Sequence, residues 1–137
     1  MGRPAYETLR LFTVVGPAPG KVRVIFTHDM IRTATRFGYT KEEAKSLYAF
    51  CVLDRPGRPT IVLMLNASLA DIVYECGHAT FDLLEYAGIP VTYEDNEMYC
   101  YTLDFVFERV RLLQERARAK LFLKANGLST NAIVSKL

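Results

Sequence analysis

The order of apolar and polar positions alternates between a period of two and a period near that of a helix. In "KVRVIFT", Val22, Val24 and Phe26 alternate with Lys21, Arg23 and Thr27, which predicts a half-buried strand. "HDMIRTATRFG" follows as a short helix ending at Gly38. Thr40 and Glu43 then have capping-box spacing and predict a second helix through about Phe50. "CVLDRPGRPTIVLMLN" predicts two strands joined by a Pro/Gly turn. The second of these is apolar at nearly every position, which places it centrally in the sheet.

Ser68 and Asp71 mark the start of a helix that Gly88 and Pro90 close. After the connection "VTYED", Asp95 or Asn96 can cap a long helix reaching about Asn126. The expected class is α+β, a small few-stranded sheet packed against helices with a long C-terminal helix. Residues 1–20 read as an N-terminal segment of no assigned structure, ending in the turn "GPAPG". Residues 21–66 form the strand-helix-helix-strands unit, 67–126 the two long helices and 127–137 a tail, all within one domain.

Composition narrows the class. At 137 residues, half hydrophobic and under a quarter charged, the chain can bury a sizeable core and is not of disordered composition. A formal net charge of +2 neither suggests nor excludes a nucleic-acid partner. No apolar run approaches the roughly 20 residues of a membrane span. The N-terminal stretch "MGRPAYETLRLF" has no secretory pattern, and Tyr6 stands where a myristoylation site wants Ser or Thr. Cys51, Cys76 and Cys100 are widely spaced and odd in number, which fits reduced thiols and a cytoplasmic location.

Candidate chemistry centres on "DIVYECGHATFDLLEYAG", where Glu75 and His78 are the last two fixed letters of H-E-x-x-H and Tyr74 stands at the first. At about 100° per residue, Leu69, Ile72, Val73, Cys76, Thr80, Leu83 and Ala87 share one face. Asp71, Tyr74, Glu75, His78, Asp82 and Glu85 share the other. Tyr74 and His78 are therefore one turn apart, the spacing at which two side chains can reach one metal ion. By periodicity alone the same residues describe a solvated polar face. In the following helix Glu97, Tyr101, Asp104 and Glu108 recur within roughly 40° of one line. Tyr99, Leu103, Val106, Val110, Leu113 and Ala117 form its apolar arc. A short connection favours an antiparallel helix pair that could bring Glu97 or Asp104 close to His78.

Over about Thr60 to Glu108, "IVYECGHATFDLLEYAGIPVTYEDNEMYCYTLDFVFE" resembles the core of small zincin-like metallopeptidase domains often encoded by bacteriophages. The resemblance implies that Glu75 is the general base, His78 a metal ligand and Glu97 the carboxylate ligand. Tyr74 occupies the position of the lost first ligand. Phenol is a poor zinc ligand because it must shed a proton with a pKa near 10. His28 or Cys100 could substitute. Two functions follow as expectations. One is a non-catalytic protein-binding module or inhibitor of a host protein, acting in the host cytoplasm. Tyr74, Tyr101 and Asp104 are then its candidate contacts, and no cofactor is needed. The other is a metal-dependent hydrolase with one weakly held zinc at an atypical site.

The remaining motifs add little. Arg109, Arg111, Arg116, Arg118, Lys120 and Lys124 are spread around the long helix among Glu108 and Glu115, as on a solvated face, with nucleic acid as the minority reading. No phosphate-binding loop or G-x-S-x-G elbow is present in the sequence.

Overall fold

The computed structural model describes residues 7–15 and 18–127. Four strands, β1 (Glu7–Val14), β2 (Gly20–Thr27), β3 (Ala49–Val52) and β4 (Thr60–Met64), form one mixed sheet in the order β1-β2-β4-β3. β2 and β4 run parallel, and the outer strands are antiparallel to their neighbours. The parallel pair requires a crossover, which contains α1 (Met30–Arg36), α2 (Lys41–Ala44) and β3. Then α3 (Leu69–Tyr86) and α4 (Glu97–Ala125) follow. The class is α+β with a long C-terminal helix, as the pattern predicts, and no described helix is long and apolar enough to cross a membrane.

Both faces of the sheet are covered. Val22, Val24, Phe26, Ile61 and Leu63 face α3 and α4. Ile25, Val62 and Phe50 face Met30, Ala34 and Ala44 of α1 and α2. This double cover is why β4 is apolar at successive positions, and why Ile25 and Thr27 are buried beside the predicted inward set of β2.

Two sequence expectations change. The N-terminal segment contains β1, which forms a hairpin with β2. Its alternation is hard to read because Leu9 and Leu11 lie on its exposed side. The second helix has the predicted capping box but ends at Ala44. Ala49 and Phe50 pair instead with Leu63 and Val62 of β4, so sheet pairing overrides local helix propensity. Residues 128–137 of the proposed tail, with Gly16 and Pro17 of the "GPAPG" turn, lie outside the described residues.

The two helices that carry the candidate site are fixed at defined points. Ser68 and Asp71 close a reciprocal capping box at the start of α3, and Gly88 at φ +72° ends it. The β3–β4 turn is pinned to α3 because the Gly57 N–H donates to Asp82 Oδ2 at 3.1 Å. A Cβ at Gly57, whose φ is +73°, would fall 2.5 Å from the Tyr86 ring. The Gln114 amide of α4 donates to the carbonyls of Leu65 and Ala67, at 3.2 and 3.0 Å, tying α4 to the β4–α3 loop.

Candidate functional site

Helix α3 does not present the faces its periodicity suggests. Ile72, Cys76, Thr80 and Leu83 are buried as expected, but Leu69 and Val73 are 59% and 43% exposed, and Ala87 is exposed as well. Glu75, assigned to the polar face, is buried at 7% exposure, and Ala79 and Leu84 are buried with it. The physical reason is that α3 packs against both the sheet and α4, so two flanks are covered where a periodic stripe describes one.

Glu75 therefore sits in the seam between α3 and the edge strand β3, where its charge is felt by Cys51, Cys76 and Tyr39. Burial, with a smaller contribution from the Asp71 carboxylate, raises its carboxyl group to about 7. Burial first, then Glu75, raises the Cys76 thiol to about 12. The Cys51 thiol rises to about 12 from burial and from the charges of Glu75, Asp82 and Cys76. Both thiols are thus protonated and poor nucleophiles at neutral pH. No sequence signal pointed to Tyr39 or Cys51 as neighbours of Glu75, because each comes from a different element.

His78 lies on the exposed side of α3, and the Tyr74 ring packs edge-on against its imidazole, with centroids 4.9 Å apart at 82°. Tyr74 itself is 67% exposed and continues an exposed apolar run with Leu69, Val73 and Phe81. The helix pair does form. Tyr99 of α4 stacks at 4.7 Å on Phe81, and its hydroxyl lies 3.2 Å from where a Cβ on Gly77 would stand.

Of the other candidates, Glu97, Cys100 and His28 are exposed, His28 at the β2–α1 junction. Tyr101 and Asp104 line a cleft of about 570 Å³ together with Val14 and Val15 at the end of β1. Asp104 is turned about 140° around the α4 axis from Tyr99, the residue that meets α3. Among the described residues no three His, Cys, Asp or Glu side chains gather closely enough to hold a metal ion. His78 and Glu97, the donors that the zincin resemblance implies, belong to no such group, and Tyr74 offers a phenol where that resemblance places an imidazole.

Comparison with family models, with curated proteins and with solved structures finds no match to this chain.

Proposed function

We propose that the chain is a zincin-like domain with a degenerate motif, phage-encoded, that works as a non-catalytic protein-binding module or inhibitor of a host protein. One observation carries the reading. At the position of the first metal-binding imidazole stands Tyr74, packed edge-on on His78 within the exposed run of Leu69, Val73 and Phe81. A phenol beside an imidazole on an apolar helix face is a protein-contact chemistry, because each ring offers a large apolar body and a polar tip. The host and its cytoplasm rest on the sequence resemblance to phage-encoded zincin-like domains alone.

The test is metal content by mass spectrometry, on protein purified without chelators, for the natural chain and Tyr74→His. The expected outcome is no stoichiometric zinc in the natural chain and a gain of zinc in the variant. About one zinc per natural chain would overturn it. The binding half is tested with a photo-crosslinking residue at position 74, which is expected to capture a distinct host protein that the same residue at exposed Glu42 does not.

A metal-dependent hydrolase is the second reading, favoured by the Glu75 carboxyl group held at about 7, where a general base works best at neutral pH. Under that reading Glu75→Gln abolishes turnover without loss of fold.

A further inference from the structure

The eight-residue strand β1 pairs on one side with β2, and among the described residues no strand pairs with its other edge. Such an edge presents backbone donors and acceptors that another strand can satisfy, and the Leu9 carbonyl already accepts from the Arg10 guanidinium at 3.2 Å. Successive β1 side chains point to opposite faces of the sheet, and the two faces differ. On one face Leu9 and Leu11 are 55% and 57% exposed. The α1/α2 layer covers Ile25, Val62 and Phe50 farther across the sheet and touches β1 near its start, where Glu7 meets Thr33 and Arg36. On the other face the end of β1 borders the cleft shared with α4, whose walls include Val14, Val15, Tyr101 and Phe105.

The charges in that cleft are unequal in what they already hold. Glu108 is engaged by Arg111 at 3.1 Å, and the Arg109 guanidinium lies over the Phe12 ring, 5.8 Å from its centroid. Asp104 has no cation paired with it among the described residues. A carboxylate at the mouth of an apolar cleft matches a long basic side chain, whose stem packs on the walls and whose head reaches the charge.

We propose that the outer edge of β1 receives an extended segment of a partner protein in which apolar residues alternate with Lys or Arg. The segment's backbone continues the sheet, its apolar set covers Leu9 and Leu11, and its basic set enters the cleft toward Asp104. The alternation follows from the strand pleat, because one face of β1 exposes Leu9 and Leu11, while the other, past Arg10, ends at the cleft that Asp104 lines. This surface is distinct from the α3 face that carries the proposed function and goes beyond that reading.

The test is a titration of ¹⁵N-labelled protein with a short peptide of alternating valine and lysine and with its valine–glutamate counterpart, followed by backbone amide shifts. Saturable shifts confined to residues 7–15 and 101–109 are expected, with the glutamate peptide about tenfold weaker. Asp104→Asn should remove most of that preference, whereas Tyr74→Ala should leave it intact, which separates this surface from the α3 reading. Shifts that map elsewhere, or equal binding of the two peptides, would overturn the proposal. So would concentration-dependent shifts of β1 in the peptide-free protein, which would give the edge to a second copy of the chain.

Discussion

Glu75 shows how one residue can follow a motif in sequence and depart from it in environment. Its spacing from His78 is legible in the sequence, but its burial is not, because burial depends on β3 and Tyr39 arriving from elsewhere in the chain. The consequence is a stability linkage with a definite sign. The carboxyl group titrates at 4.5 when unperturbed and at about 7 in the fold, so the folded state holds a proton that the unfolded chain has released. Stability is therefore lost as pH rises from about 4.5 to about 7, and then levels off. Glu75→Gln removes the buried charge. Local relaxation around the ionised group offsets part of the full linkage value, so the variant should gain about 1–2 kcal/mol near pH 8. The gain should vanish below the unperturbed carboxyl value. Urea midpoints of both proteins across this range check it, and a pH-independent difference would show that packing, not charge, sets the effect.

At the scale of elements, capping chemistry was the most legible feature. Thr40 with Glu43 forms the reciprocal box its spacing announces, and Ser68 with Asp71, read as a helix start, forms one as well, whereas Asn96 at the start of α4 makes no side-chain cap bond. Less legible was where α2 stops, since Ala49 and Phe50 are drawn into pairing with β4. The docking of α4 was also hidden, because a single glutamine among the charged residues of its later half carries no periodic signal. Gln114 is 4% exposed and spends both amide hydrogens on the carbonyls of Leu65 and Ala67. Gln114→Leu should cost about 1–3 kcal/mol, because two carbonyls lose their partner without access to water. Replacement of exposed Arg118 by Gln should stay within about 0.5 kcal/mol. Chemical denaturation of the two variants distinguishes them, and an unchanged Gln114 variant would mean that the loop carbonyls find other donors.

Across the whole molecule the two helical layers share the same strands. Val24 and Phe26 of β2 face one layer while Ile25 between them faces the other, and β4 divides in the same way at Ile61, Val62 and Leu63. Loss of either layer thus uncovers the back of the other's support. Equilibrium unfolding should be one cooperative transition. The checks are far-UV circular dichroism and the fluorescence of the eight tyrosines, which include Tyr39 beside the α1/α2 layer and Tyr99 beside α3. Two separated transitions would show that the layers are independent.

By itself the sequence determined the α+β class, the central place of β4, the helix starts at Ser68 and near Asn96, and the stop at Gly88. These depend on local periodicity, capping groups and turn residues, all of which act within a few positions along the chain. Only the tertiary structure decided that Glu75 is inside while Leu69 and Val73 are outside. It also turned Asp104 toward β1 and left the outer edge of β1 without a strand among the described residues. Each of those outcomes is set by which neighbour covers which flank, and such neighbours are distant in sequence and leave no mark on the residue they cover.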